Sequence, residues 1–319
     1  MVWQHLLFFH TLPRVIFTNI LVLYGGNSTE RAVSISSALR VIEAFAGTAH
    51  RVIACDYQGA KPSAPLLRLA RESDAVFLAL HGGDGEGGVL QSALERAGIF
   101  YYTGSDARGS SLALDKASAK QCVSEVGVPI ARGMVWQPSA PPPAIPLPAI
   151  VKPVLGGSSV GLKKVDHESE LAACPTSEPL LVEEFLSGRE FTVGILGNEA
   201  LPAVEIIPQG GIYDYKHKYT AGATKEICPA ALDKEKAALL KDFAMRAFRA
   251  LGLRDFARID FKENAEGTPC FLEANTLPGL TPTSLLPLAA SAAGIPFPTL
   301  IERMAQAAAK RKNNISKTP

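Results

Sequence analysis

Four polar side chains that could together bind a metal ion and phosphate groups lie within one short stretch of the chain. The stretch 257–279 reads ARIDFKENAEGTPCFLEANTLPG, and it places Arg258 two residues before Asp260 and Glu273 two residues before Asn275. Because side chains alternate between the two faces of a β-strand, the members of each pair point the same way. If the two segments pair as a hairpin around NAEG, all four side chains converge on one face.

The chemistry that this face suggests is magnesium binding. Carboxylate and amide oxygens are hard ligands that Mg²⁺ accepts, and phosphate oxygens can complete its coordination shell. Asp260, Glu273 and Asn275 therefore predict a magnesium site. For any single pair of these residues, a surface salt bridge between Arg258 and an acid is the simpler interpretation.

A second polar segment, GGSSVG at 156–161, follows a predicted strand that contains Lys152. Glycine lets backbone N–H groups approach phosphate oxygens closely, and a lysine ammonium binds phosphate as a point charge. The segment lacks the Gly-Lys-Ser/Thr order of a Walker A loop, and no GxGxxG follows the first strand. Alone, such a loop is more often a simple turn. Together with the hairpin it favours a nucleoside triphosphate bound with magnesium.

Alternating strand and helix patterns predict the frame for residues 20–104. The runs NILVLYGG, HRVIACDY, AVFLAL and IFYYTG read as strands, whereas ERAVSISSALRVIEAF and VLQSALERAG have helical periodicity. This alternation predicts an N-terminal doubly wound parallel sheet. Ligands of such sheets bind at the carboxyl ends of the strands, which here are YGGNSTE and LHGGDGEGG.

The rest of the chain has the pattern of two α+β domains. A helical stretch, SSLALDKASAKQCVSEVGVP, precedes a proline-rich connection, PSAPPPAIPLP, that we expect to be extended and exposed. AIVKPVLGGSSVGLKKV, LLVEEFLSG and REFTVGILGNEALPAVEIIP predict strands, with GNEA as a hairpin turn. KEKAALLKDFAMRAFRALG and PTLIERMAQAAAKRK predict helices on either side of the 257–279 hairpin. We expect an extension at 1–19 and domains at 20–104, 105–184 and 185–319.

Composition limits the classes of partner. The 319 residues are 47% apolar and carry a net charge of +1, which is typical of a globular protein and supports neither a nucleic-acid nor a membrane partner. No apolar run approaches the ~20 residues of a membrane helix, and the apolar start does not read as a secretory signal. The five scattered cysteines form no CxxC pair. Reduced thiols in a cytosolic, cytoplasmic compartment are a simpler interpretation than a shared zinc site.

The order of these motifs resembles that of the D-alanine–D-alanine ligases of the ATP-grasp superfamily. The match runs from about 20 to about 308 and rests on GGNSTERAVS, HGGDGEGGVLQSALE, YTGS, LDKASAK, IVKPVLGGSSVG, EEFLSGREFTVGIL, YDYKHKY, and RIDF followed by LEANTLPGLTPTSL. The resemblance implies an α/β protein, α+β in parts, whose two α+β domains enclose an ATP cleft. It also implies ATP-dependent ligation of two D-alanine molecules through a D-alanyl phosphate, for peptidoglycan precursor synthesis.

The resemblance assigns substrate and catalytic roles to individual residues. Glu30 would hold the ammonium group of the first D-alanine, with His81 near the same substrate. Ser284 and the backbone of Leu285 would receive the carboxylate of the second substrate. The residues expected to act in catalysis are Glu30, Ser158, Tyr219 and Arg258. In the family, a tyrosine at the position of Tyr219 accompanies amine acceptors, and a phenylalanine accompanies ligases that accept D-lactate.

The resemblance also supplies a cofactor site for ATP and two Mg²⁺ ions, with Mn²⁺ as an alternative. The expected ATP-binding residues are Lys116, Lys152, Gly157, Ser158, Ser159, Glu183, Glu184, Phe185, Leu186, Glu190, Lys218 and Asn275. The expected metal ligands are Asp260, Glu273 and Asn275. Small molecules, ATP and D-alanine, are the expected partners, and a homodimer is expected from analogy alone.

Three departures and two alternatives accompany the resemblance. Gly87 stands where the family usually has an acid, residues 138–148 replace a longer, partly helical linker, and residues 1–18 have no counterpart. One alternative is a ligase that joins D-alanine to another acceptor, such as D-lactate. The other is a regulatory protein that binds a nucleotide without catalysis, against which the intact set Arg258, Asp260, Glu273 and Asn275 argues.

Overall fold

The structure, a computed structural model, describes residues 18–59, 61–137, 140–157, 160–174, 178–208 and 224–315. Their strands form three sheets, of three, four and six strands. Helices and sheets are mixed throughout, as the sequence predicts for an α/β protein with α+β parts.

The N-terminal sheet is parallel, as predicted. Its elements are β1 (Asn19–Gly25), α1 (Arg31–Ala44), β2 (Arg51–Tyr57), α2 (Ala64–Glu72), β3 (Ala75–Leu78), α3 (Gly83–Glu86) and α4 (Val89–Arg96). The strand order is β2-β1-β3, and both pairings are parallel. The strand predicted at IFYYTG is reduced to one parallel bridge between Tyr102 and Val76. The helix α2 was not predicted.

The helical stretch predicted after this sheet is two helices, α5 (Ala107–Leu114) and α6 (Lys116–Glu125). The prediction of one continuous stretch was therefore wrong at Asp115, which has an extended backbone with ψ of 98°. Its carboxylate accepts hydrogen bonds from the backbone N–H groups of Ala117 and Ser118, at 3.1 and 3.0 Å. An aspartate that caps a helix in this way satisfies donors that have no partner inside the helix.

An antiparallel four-stranded sheet follows. Its elements are β4 (Gly133–Trp136), β5 (Ala149–Pro153), β6 (Lys163–Val165), α7 (Glu168–Ala172) and β7 (Leu180–Glu184). The order is β4-β7-β5-β6, and all three pairings are antiparallel. Residues 140–148 form neither helix nor strand and are mostly exposed, as the prolines predict. The indole N–H of Trp136 donates to the carbonyl oxygens of Ala140 and Pro141, each at 3.1 Å, and so ties this connection to the sheet.

The largest sheet contains the predicted hairpin. Its elements are β8 (Glu190–Leu196), β9 (Glu199–Ala200), β10 (Val204–Pro208), β11 (Thr224–Ile227), α8 (Lys234–Ala250), β12 (Phe256–Glu263) and β13 (Pro269–Asn275). The order is β11-β10-β8-β12-β13, and β9 pairs with β8. The β8–β9 pairing confirms the predicted GNEA turn, where Gly197 takes the left-handed conformation with φ of +62°.

Two further helices, α9 (Leu285–Ala292) and α10 (Phe297–Ile315), end the described chain, and only α10 was predicted. The helix α10 packs on β3 and α1, and Leu300, Ile301 and Met304 share one apolar cluster with residues of β1. The helix α10 belongs to the segment 185–319, and yet it completes the core of the first sheet. The domain boundaries stay a prediction. Within the described ranges no single helix is long and apolar enough to cross a membrane; Leu285–Ala292 and Phe297–Asn314 pass that test only together, across a 107° bend.

A partly buried ion pair fastens α10 to the start of β12. Among the described residues other than glycine, Asp255 alone has a positive φ, of 62°. Its carboxylate accepts two hydrogen bonds from Arg311 at 2.7 Å and one from the backbone N–H of Gly104 at 2.9 Å. Arg311 also donates to the carbonyl oxygens of Phe100, at 3.1 Å, and Tyr102. One guanidinium therefore joins α10, the turn before β12 and the edge of the first sheet.

We predict that Arg311→Met lowers the free energy of unfolding by about 3 kcal/mol, because the carboxylate of Asp255 stays buried without its counter-charge. The Asp255 side chain is only 6% exposed. Urea unfolding of both proteins measures the loss. The matched control is Arg246→Met, which removes an exposed pair with Asp242 on α8 and should cost less than about 0.5 kcal/mol. Equal losses in the two variants would contradict the prediction.

Candidate active site

The predicted hairpin forms with the predicted pairing. In the antiparallel pair β12–β13, Arg258 lies opposite Asn275, and Asp260 lies opposite Glu273. The alternate residues Ile259 and Phe261 are fully buried in an apolar cluster. Because side chains alternate along a strand, this burial turns Arg258 and Asp260 to the other face of the sheet.

Arg258 and Asp260 form an ion pair, but in a cleft and not on the open surface. The guanidinium donates from Nε and Nη2 to the two carboxylate oxygens, at 2.9 and 3.0 Å. The hydroxyl of Thr192 donates to Asp260 Oδ1 at 2.6 Å. Both side chains of the pair are 11% exposed. The salt bridge considered as an alternative is thus present within the same polar face, where it fixes the orientation of both groups.

Lys262 extends this polar face and was missed in the sequence. Its Nζ lies 2.8 Å from Oε2 of Glu190 on β8. The sequence alone could have predicted its position, because residues 258, 260 and 262 alternate with buried residues and so lie on one face of the strand. The contact links the predicted nucleotide residue Glu190 to the strand that supplies Arg258 and Asp260.

Two adjoining cavities contain every predicted site residue that the structure describes. The first is lined by Glu30, His81, Lys116, Gly157, Arg258, Glu273, Asn275, Ser284 and Leu285, among others. The second is lined by Lys116, Lys152, Gly157, Glu183, Glu184, Phe185, Leu186, Glu190, Asp260 and Glu273, among others. Lys116, Gly157 and Glu273 line both. Ser158, Ser159, Lys218 and Tyr219 lie outside the described residues.

A buried charge cluster forms one wall of the second cavity. Glu183 lies between two lysines, with Oε1 2.6 Å from Lys120 Nζ and Oε2 2.7 Å from Lys152 Nζ. Lys120, for which the sequence predicted no role, also donates to the carbonyl oxygen of Phe271 at 3.0 Å. Burial opposes ionisation of Glu183, but the two ammonium groups outweigh it and hold the pKa of Glu183 below its usual value. With both lysines protonated, the cluster carries one positive charge in excess beside the cavity.

His81 in the first cavity is neutral and fixed at both ring nitrogens. Nδ1 lies 2.8 Å from the carbonyl oxygen of Leu277, so Nδ1 is the donor, and Nε2 then accepts from the hydroxyl of Ser37 at 2.9 Å. Burial lowers the pKa of His81, which agrees with this tautomer. His81 therefore connects α1 with the segment that follows β13.

Glu30 stands at the start of α1, where the N–H groups of the first helical turn favour a negative charge. A Cβ atom on Gly82 would lie 2.8 Å from Glu30 Oε2, and Gly82 has φ of +65°. Glycine is thus required at this position for the backbone conformation, and the missing Cβ leaves room for the carboxylate of Glu30.

Glu86 is a second carboxylate in this cavity, and no role was predicted for it. It lies on α3, in the quoted motif LHGGDGEGG, and Oε2 accepts from the backbone N–H of Gly82 at 2.8 Å. Burial and the neighbouring charge of Glu30 raise the pKa of Glu86 to about 7, against the N–H groups of Gly82 and Leu277 and the charge of Arg258. At Gly87, a Cβ would meet Leu114 Cδ2 at 2.6 Å, so the family's acid would not fit here without a shift of Leu114.

Ser284 precedes α9 and lies at the far wall of the first cavity. Its hydroxyl accepts from the backbone N–H of Thr281 at 2.9 Å and lies 2.8 Å from the hydroxyl of the same residue. The first N–H groups of α9, starting at Leu285, have no partner inside the helix. A serine hydroxyl beside free helix N–H groups is suited to a carboxylate.

The described metal candidates fit a magnesium ion that shares phosphate ligands. Asn275 Oδ1 is buried and has no hydrogen-bond partner among the described atoms. Glu273 lies on the same strand face, and Asp260 is opposite it. No group of three or more His, Cys, Asp or Glu side chains with metal-binding geometry occurs in the part of the chain that the structure describes. Asp260, Glu273 and Asn275 supply oxygens of the kind that Mg²⁺ accepts. Three side chains do not fill its coordination shell, so phosphate oxygens are needed to complete it.

Comparison with known proteins gives one consistent result. Residues 142–306 match the family model described as D-ala D-ala ligase C-terminus. A D-alanine–D-alanine ligase from Oleidesulfovibrio alaskensis is 42% identical over 89% of this chain and 94% of its own. The crystal structure of the Bacillus anthracis D-alanine–D-alanine ligase complexed with ATP has a TM-score of 0.80 at 26% identity, covering 93% and 99% of the two chains. A D-Ala:D-Ser ligase from Enterococcus faecalis has a TM-score of 0.78 at 28% identity, covering 92% and 99%.

We predict that Glu86→Gln becomes more stable relative to the unchanged protein as the pH rises from about 4.5 to about 7. In that window the folded carboxyl still holds a proton that the unfolded carboxyl, with its usual pKa of 4.5, has lost. Rising pH therefore lowers the free energy of unfolding of the unchanged protein, by on the order of 2 kcal/mol over this window. The amide of Glu86→Gln does not titrate, so the variant escapes this loss.

Urea unfolding at several pH values measures the difference between the two proteins. Asp84→Asn, on the same short helix α3, is the control for loss of one carboxylate. A pH-independent difference between Glu86→Gln and the unchanged protein would show that the carboxyl of Glu86 titrates normally.

Proposed function

Because the chain belongs to the D-alanine–D-alanine ligase family, we propose that it joins two D-alanine molecules to D-alanyl-D-alanine and converts ATP to ADP and phosphate. The observation that supports this most directly is the common wall of the two cavities. Lys116, Gly157 and Glu273 line both, so a phosphate bound at this wall is within reach of a substrate in the first cavity.

The second cavity is the proposed ATP site. Lys152 and Lys116 would attract phosphate oxygens as point charges, and the excess positive charge of the Lys120–Glu183–Lys152 cluster favours an anion. Phe185 and Leu186 supply apolar surface for a base, and Glu190 supplies a carboxylate for ribose hydroxyls. Asp260, Glu273 and Asn275 would hold Mg²⁺, or Mn²⁺, which neutralises phosphate charge when bound.

The first cavity is the proposed site of both D-alanine molecules. Glu30 would bind the ammonium group of the first, whose carboxylate oxygen attacks the γ-phosphorus of ATP and releases ADP. Arg258 lines this cavity and also donates a hydrogen bond to Asp260. Its guanidinium can stabilise negative charge on the acyl phosphate. The neutral His81 adds no charge here, so the ammonium meets the carboxylate of Glu30 without a competing cation on the imidazole.

The second D-alanine would place its carboxylate at Ser284 and the N-terminus of α9. Its amine loses a proton and then attacks the acyl carbon of the D-alanyl phosphate. The tetrahedral oxyanion that forms can be stabilised by Arg258 and nearby N–H groups, and its collapse expels phosphate and leaves the amide bond.

A different acceptor is the second candidate function, because a D-Ala:D-Ser ligase has nearly the same fold as this chain. The described residues that line the first cavity do not discriminate between acceptors that each have a carboxylate and a nucleophilic group. We propose D-alanine, with peptidoglycan precursors as the destination of the dipeptide, in the cytoplasm. We also propose a homodimer by analogy with the family.

The test is a coupled assay of ADP release by the purified protein, with and without D-alanine, together with mass spectrometry of the product. We expect release that depends on D-alanine and a product with the mass of the dipeptide. Mixtures of D-alanine with D-serine or D-lactate then rank the acceptors. ADP release that is independent of every D-amino acid would refute the proposed function.

We predict that Glu273→Gln lowers kcat by about 100-fold or more, because it removes a negative charge from the metal-binding face while roughly preserving shape. The free energy of unfolding should change little. The measurement is D-alanine-dependent ADP release as a function of magnesium concentration. Glu266→Gln, in the exposed turn of the same hairpin, is the matched control and should keep near-full activity. Full activity of Glu273→Gln at ordinary magnesium would exclude the metal assignment.

A further inference from the structure

The segment 277–280 forms a wall of the first cavity and is bound by side chains that lie between residues 37 and 81 of the sequence. The carbonyl oxygen of Leu277 accepts from His81 Nδ1 at 2.8 Å. The backbone N–H of Leu280 donates to Ser37 Oγ at 3.2 Å, and its carbonyl oxygen accepts from Arg40 at 2.8 Å. Residues of α1 and of the loop after β3 thus fix a segment that lies about 200 or more positions later in the sequence.

Glu86 fixes the loop that carries His81. Its carboxylate accepts from the backbone N–H of Gly82 at 2.8 Å. His81, the residue before Gly82, donates to the carbonyl oxygen of Leu277 at 2.8 Å. The carboxylate of Glu86 therefore holds the residue next to His81, and His81 in turn holds the Leu277 peptide.

This segment connects two groups to which the proposed mechanism assigns roles. It begins two residues after Asn275, at the end of β13, and it ends four residues before Ser284. Leu277 and Gly279 of this segment line the first cavity, as does the preceding Thr276. A shift of the Leu277 peptide would consequently move the metal-side strand end, the cavity wall and the approach to α9 relative to Glu30.

We propose, on the basis of the proposed function, that Glu86 is a positioning residue for acyl transfer. It acts through its hydrogen bond to Gly82, which fixes the neighbouring His81 and so holds the Leu277 wall of the D-alanine cavity against the N-terminal sheet. Glu86 does not line the second cavity, so this role concerns the amino-acid steps and not nucleotide binding. A displacement of about 1 Å in such a wall is enough to slow a reaction by about 100-fold.

Two variants of similar length test the proposal. Glu86→Gln keeps one oxygen that accepts a hydrogen bond, whereas Glu86→Met fills the space without an acceptor. We expect kcat for D-alanine-dependent ADP release to fall by about 30- to 100-fold in Glu86→Met and by less than about 10-fold in Glu86→Gln. The KM for ATP and the affinity for ADP should stay within about threefold in both. Asp84→Asn on the same helix is the control and should match the unchanged protein.

Each other outcome overturns the proposal in a distinguishable way. If the two variants lose kcat equally, the charge of Glu86 matters and its hydrogen bonds do not. If Glu86→Met is as active as the unchanged protein, the residue has no role in the reaction. If Glu86→Met also loses ADP binding, Glu86 supports the fold as a whole. If the unchanged protein shows no D-alanine-dependent ADP release, the proposed function itself fails and this role fails with it.

Discussion

The position of β12 between β8 and β13 is the constraint on which the site depends. The strand is paired on both sides, so its register cannot shift without breaking two ladders. A shift of one residue would turn Arg258 and Asp260 into the apolar cluster and Ile259 and Phe261 into the cleft. The burial of the apolar residues therefore determines on which face the charged groups lie. Burying an unpaired charge would cost more free energy than a local conformational preference could supply.

The sequence predicts those parts of the fold that depend on local periodicity. The hairpin at 257–279, the parallel sheet and the GNEA turn follow from alternation and turn chemistry, and all three are confirmed. The break at Asp115 was missed because a helical period runs through it, although an aspartate before a new helical turn is a known capping signal. The strand expected at IFYYTG supplies a single bridge only.

The contacts that the sequence could not predict join residues far apart in the chain. Lys120 meets the carbonyl oxygen of Phe271 across 151 positions, and Arg311 meets Tyr102 across 209. No local pattern encodes such partners. The roles of Glu30, Ser284 and Lys116 rest on resemblance, whereas the role of Lys152 also follows from its place before the glycine-serine loop. Their placement around two adjoining cavities agrees with those roles.

The attachment of α10 to the first sheet has a consequence for biosynthesis. β3 leaves the ribosome more than 200 residues before α10, which completes its apolar cluster. At about 5–20 residues per second, the nascent sheet waits on the order of ten seconds or more with part of its apolar surface uncovered. Long sequence separation between contacting elements also slows folding, because the chain must be closed before the contact stabilises it. The N-terminal third of the newly made chain therefore needs protection from aggregation until α10 has been synthesised.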